Sequence, residues 1–110
     1  MPDKPVINIV ATRCQPQDDE KFNRWYNEVH IPMLLKYKKL LGVARYKVIG
    51  ESPTQPPYIA IYKYASLKDL QDFAKSPELA AAGKEMQETW GQKIELTSRV
   101  QYELIKEWGK

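Results

Sequence analysis

The stretch Tyr58 to Ala65, Y-I-A-I-Y-K-Y-A, is the strongest strand signal in the chain and constrains what the rest can form. Its alternating β-branched and aromatic residues suit a pleated, half-buried surface. Three other stretches share that character. Val6 to Arg13 (V-I-N-I-V-A-T-R) is nearly continuous, as in a strand covered on both faces. Val43 to Ile49 alternates, and Ile94 to Ile105 closes the chain with Ile94, Leu96, Val100, Tyr102 and Leu104 apolar. Gly50 to Pro57, with Gly50, Pro53, Pro56 and Pro57 beside Ser52 and Thr54, reads as an exposed connection joining the second and third strands in an antiparallel hairpin.

Two helical segments separate these strands. Pro16, Asp18 and Asp19 open the first, with negative charge at its positive end. Pro32 predicts that this helix falters near His30, because proline has no N–H to donate and disfavours helical geometry at Ile31. A second piece over Met33 to Leu41 is expected to end at Gly42 as a C-cap. The second segment starts twice, at Ser66 with Asp69 three residues on, and at Ser76-Pro77-Glu78. Leu79, Ala82, Met86 and Trp90 then recur at helical spacing up to Gly91.

The resulting order, β-α-β-β-α-β, is the α+β, ferredoxin-like arrangement: two helices over one face of a four-stranded antiparallel sheet. At 110 residues the chain is expected to form one domain over 1–110. Nothing remains to cover the second face of the sheet, whose apolar residues would be costly to leave wet. A homodimer packed sheet to sheet is therefore expected. Tyr58, Tyr62 and Tyr64 share one face, but parity alone does not say which face meets the helices.

Composition excludes several classes. One cysteine, Cys14, allows no internal disulfide, and no secretory or membrane-spanning pattern is present, so a cytoplasmic protein with no membrane partner is expected. One histidine and one cysteine cannot build a closed zinc site within a chain, and no Gly-rich phosphate loop or nucleotide fingerprint is present, so no metal or other cofactor is expected. The net charge of +3 is mild, and Lys36, Lys38 and Lys39 read as a solvated helix end. Nucleic-acid binding is not expected: Val6 to Thr12 carries no aromatic residue for base stacking, and Tyr58 to Tyr64 lacks the glycine-phenylalanine pattern of an RNA-recognition sheet.

On a helical wheel at about 100° per residue, Phe22, Trp25, Tyr26, Val29 and Met33 share a core-facing stripe, with His30 at its edge. That imidazole should look into a seam between helix and sheet, where partial burial tunes a pKa and a ligand finds room. A plain packing histidine has the same pattern. A helix C-terminus would favour the imidazolium, and burial would oppose it.

Trp25-Tyr26, His30 and Pro32 in W-Y-N-E-V-H-I-P, preceded by Asp18-Asp19-Glu20 and followed by Gly42-Val43 before Arg45-Tyr46-Lys47-Val48, resemble the first-helix signature of the EthD-like family of the dimeric α+β barrel superfamily. Lys39-Leu40-Leu41-Gly42 departs from the Pro-Gly that relatives often carry. The resemblance implies dimers whose sheets close into a barrel, and a small-molecule pocket between helices and sheet. Relatives in the wider superfamily include cofactor-independent monooxygenases, polyketide cyclases, decarboxylases, lactone isomerases and some haem-binding enzymes. The carry-over by residue reaches His30, with Trp25 and Tyr26 beside it.

The expectation is thus a cofactor-independent enzyme acting on a small hydrophobic, aromatic or polyketide-like molecule. His30 would be the general acid or base, and Tyr26 would offer its phenol to a developing enolate oxygen. Trp25, Tyr46, Tyr62, Phe73, Met86 and Trp90 would line the apolar cavity. The alternative is a non-catalytic ligand-binding or accessory protein using the same pocket.

Overall fold

Antiparallel pairing organises the chain. In the computed structural model, whose described residues are 4–110, the strands are β1 (Val6–Cys14), β2 (Leu40–Lys47), β3 (Tyr58–Tyr64) and β4 (Ile94–Glu103). They form one sheet in the order β2-β3-β1-β4, every neighbour antiparallel. The two most apolar strands take the centre, and charged residues such as Lys47, Glu95 and Arg99 fall on the edges, where they discourage further pairing. Among the described residues no helix is long and apolar enough to cross a membrane.

Directly opposed residues of an antiparallel pair share a face. Val6, Asn8, Val10 and Thr12 oppose Tyr64, Tyr62, Ala60 and Tyr58, and all four of the latter are buried. The tyrosine face therefore carries the helices. Ile7, Ile9, Ile59 and Ile61 lie on the other face and are only partly buried, with Tyr46 and Tyr102 more exposed still. This face stays apolar and uncovered within the chain.

The helical layer is α1 (Asp19–Trp25), a wide π-helical turn (Tyr26–His30), α2 (Ile31–Leu34), α3 (Leu67–Phe73) and α4 (Pro77–Trp90). The expected break at His30 does not occur. The Ile31 N–H reaches back five residues to the Tyr26 carbonyl, and this wider register carries the helix past Pro32. Pro32 then falls in the first turn of α2, where its missing N–H costs nothing.

Gly42 is not a C-cap, and the piece expected over Met33 to Leu41 is mostly not helical. Tight turns through Lys36, Tyr37 and Leu40 unwind the helix after Leu34, and the strand begins at Leu40. Gly42 sits inside β2 at a register irregularity against β3. The remaining caps follow the sequence: Ser66 Oγ accepts from the Asp69 N–H and Ser76 Oγ from the Leu79 N–H, each at 3.1 Å. Gly91 ends α4 with φ of 59°, a left-handed conformation glycine adopts without strain.

The expected apolar stripe of the last strand is split. Between Ala11 and Thr12 the β1–β4 register slips, so Ala11 opposes Ser98 while Thr12 opposes Leu96. The extra residue flips the parity. Ile94 and Leu96 turn toward the helices, whereas Val100 and Tyr102 turn to the open face, and Arg99 and Gln101 take the helix side.

Phe22, wholly buried, anchors the core. Its ring lies 5.5 Å from Tyr26, 5.9 Å from Tyr58, 6.1 Å from Trp90 and 6.3 Å from Trp25. Edge-on and tilted pairs of this kind are the favoured aromatic contacts.

Candidate functional site

The helices do not seal the tyrosine face. A cavity of about 370 Å³ remains between the π-turn, α2, α3 and α4 above and β1, β3 and β4 below. Its walls are mostly apolar, from Leu34, Leu70, Phe73, Leu79 and Met86, with Tyr26, His30 and Tyr62 at one end. The volume and the few polar groups are those of a small-molecule site. A larger open groove of about 690 Å³ at the strand ends is lined mainly by polar loop and strand-end residues, among them Gln15, Ser52, Gln55 and Lys93. The smaller cavity holds the buried titratable groups and is the candidate site.

His30 reaches the cavity because the π-turn widens the helix there. Its ring stacks on Trp25 at 4.9 Å and 26°, and meets Tyr26 edge-on at 4.9 Å and 71°. Trp25 is itself fixed, its Nε1 donating to Glu85 Oε1 at 2.8 Å. The His30 pKa falls to about 4, above all through burial; Arg45 pushes the same way, and the Glu85 charge opposes. The helix-end argument for an imidazolium fails because the helix continues into α2. Burial prevails, and His30 is neutral at neutral pH.

This shift sets a pH dependence. The unfolded chain protonates the histidine near its ordinary value of about 6.5, whereas the folded chain resists until about 4. Stability associated with this group is thus complete above about pH 6.5 and is lost as pH falls through that interval. Wild type should lose on the order of 2–3 kcal/mol more than His30→Gln between pH 7 and pH 4. Urea unfolding of both proteins across that range measures it, and parallel profiles would contradict the burial reading.

Two phenols stand beside the imidazole. Tyr26 and Tyr62 share a hydrogen bond at 2.8 Å between their hydroxyl oxygens, and burial raises both pKa values, so both are neutral. The Arg45 guanidinium lies 4.2 Å from the Tyr26 ring centre and donates to Asn27 Oδ1 at 2.7 Å and Asn23 Oδ1 at 2.8 Å. Arg45 therefore packs against the tyrosine ring while the two asparagines hold its guanidinium in place. Three residues lining the cavity each carry a buried polar atom without a protein partner: Asn8 Oδ1, His30 Nδ1 and Tyr64 OH. Such atoms cost about 1–3 kcal/mol each unless something reaches them.

The structure brings Tyr26, His30, Tyr62, Phe73 and Met86 together around this cavity. It does not bring Trp25 or Trp90 to its lining; both pack in the core, 5.9 Å from each other. Tyr46 is corrected outright. It opposes Ile59 on the open face and is 55% exposed, because β2 alternates and the cavity side belongs to Arg45. Asn8, Tyr64, Gly83, Arg99 and Gln101 line the cavity without having been singled out from the sequence. Tyr64 follows from its shared parity with Tyr62, and Asn8 is the one amide in an apolar run. Arg99 and Gln101 depend on the register slip. Among the described residues no three His, Cys, Asp or Glu side chains cluster as metal ligands.

A family model described as "Domain of unknown function (DUF4286)" matches residues 6–105. No curated protein matches the chain. Solved structures do. An ethyl tert-butyl ether D (EthD) family protein from Bacillus halodurans superposes with a TM-score of 0.69 at 21% identity, over 91% of this chain and 99% of that one. HapK from Hahella chejuensis gives 0.73 at 10% identity, over 96% and 98%. A dimeric protein of unknown function and ferredoxin-like fold from Bacteroides fragilis gives 0.63 at 21%, over 94% and 100%. The fold is accordingly the EthD-like, ferredoxin-like α+β fold.

Proposed function

The chain belongs to the DUF4286 family of domains of unknown function, and from that premise we propose that it binds a small apolar molecule in the cavity beneath the helices and moves a proton on it. The observation that supports this reading is a neutral, buried imidazole beside a hydrogen-bonded phenol pair at one end of an otherwise apolar space. His30 is the proton acceptor, taking a proton from carbon next to a carbonyl. The Tyr26–Tyr62 pair donates to the oxygen on which charge develops, and low local dielectric strengthens that bond. Phe73 and Met86 hold the apolar body of the substrate. No cofactor enters this scheme.

The second reading, a binder without catalysis, draws on the same imidazole. An imidazole whose conjugate acid has a pKa of about 4 is a weak base, below the value that suits proton transfer at neutral pH. A bound ligand whose oxygen becomes anionic would raise it. 2-Tetralone, an aromatic ketone with exchangeable protons next to its carbonyl, separates the two. In D₂O, wild type should accelerate its deuterium uptake, followed by NMR, and His30→Gln should lose about 100-fold of that acceleration while still binding the ketone. Binding without acceleration in wild type would select the binder.

The uncovered sheet face supports a homodimer joined sheet to sheet, with Ile9, Ile61, Tyr46 and Tyr102 in the contact. The protein from Bacteroides fragilis with this fold is described as dimeric. The free thiol of Cys14 suits a reducing compartment such as the cytoplasm. Residues 1–110 then act as one domain with no nucleic-acid or membrane partner.

A further inference from the structure

The cavity has an uneven charge that the proton-transfer scheme does not use. Arg99, on edge strand β4, opposes Val10 and so stands on the helix side of the sheet, within the cavity lining. Among the described residues its guanidinium has no hydrogen-bond or ion-pair partner, and no Asp or Glu lines the cavity with it. Its charge is nevertheless felt inside, where it acts on the Tyr26 phenol against the effect of burial. Gln101, two residues on along the same face, adds an amide beside it. Phe73, Leu79 and Met86 supply apolar wall. An apolar chamber with one unpaired guanidinium at its rim complements a molecule with an apolar body and one anionic end.

We propose that the ligand class of this site is an apolar carboxylate, seated with its carboxylate on Arg99 and Gln101 at the β4 rim and its body between α3, α4 and the tyrosine face. The proposal rests on the small-molecule reading of the cavity and narrows it. A planar carboxylate suits the guanidinium because two parallel N–H···O bonds can form. The register slip matters here, since without it Arg99 would face the open side of the sheet.

Two fluorescent compounds of equal shape test this: 1-pyrenebutanoate, an anion at pH 7.5, and 1-pyrenebutanol, which is uncharged. Wild type should bind the acid about tenfold more tightly than the alcohol. Arg99→Gln should weaken binding of the acid about tenfold and so remove the preference over the alcohol, with Arg99→Lys keeping part of it. Equal affinity of wild type for both compounds, or a preference that survives in Arg99→Gln, would overturn the carboxylate proposal while leaving the cavity as a small-molecule site. Binding of neither compound would remove the cavity reading and this proposal together.

Discussion

Phe22→Ala should lower the free energy of unfolding by about 3–5 kcal/mol, the range for deleting a large aromatic ring from a packed core. Phe22 is fully buried and its ring touches four other aromatic rings, from α1, the π-turn, β3 and α4. Those neighbours belong to different elements, so collapse around the vacancy would require the helical layer to shift on the sheet. A domain of this size has only about 5–15 kcal/mol in total. The melting temperature should therefore drop by roughly 10 °C or more. Urea unfolding followed by tryptophan fluorescence measures the loss, since Trp25 and Trp90 flank the site. A cost below about 1 kcal/mol would mean that the aromatic cluster is not the centre of the core.

Gly83→Phe should abolish binding of 1-pyrenebutanol, weakening it by about 100-fold or more, without loss of stability. Gly83 lies mid-helix in α4 and on the cavity wall, and a Cβ built there meets no atom within 4 Å. Glycine within a helix costs about 1 kcal/mol relative to alanine, so nothing in the helix itself favours it. The empty space beside it is what a small-molecule site requires. Gly83→Ala should raise stability by about 0.5–1 kcal/mol and leave binding nearly intact. Unimpaired binding by a folded Gly83→Phe protein would place the ligand elsewhere.

Much of this architecture is legible from local chemistry. The Ser66 and Ser76 caps are decided by neighbours within one turn, and both form where the residues direct. The first-helix stripe of Phe22, Trp25 and Tyr26 is buried as its spacing requires, and His30 sits at its edge among aromatic rings. The failures have a common origin in backbone register. Pro32 breaks an α-helix only if the helix keeps its α register, and the π-turn over Tyr26–His30 supplies another. The slip between Ala11 and Thr12 reassigns every side chain of β4 beyond it, and so turns Arg99 into the cavity and Tyr102 out of it. Tyr46 shows the limit of residue type: it is aromatic like Tyr62, yet strand alternation puts it on the opposite face. No pattern of residue types reports such one-residue shifts, because both registers satisfy the same local preferences.

His30 is the only histidine, so its ring nitrogens give a single, unambiguous set of ¹⁵N resonances. Titrating the protein with 1-pyrenebutanol at pH 7.5 while following those resonances tests directly whether a small molecule enters the space beneath the π-turn. The expected result is a saturable shift of the imidazole signals from a ring that begins neutral, absent in Gly83→Phe. Imidazole signals that stay fixed while the compound binds, or that report a charged ring in the free protein, would contradict the account.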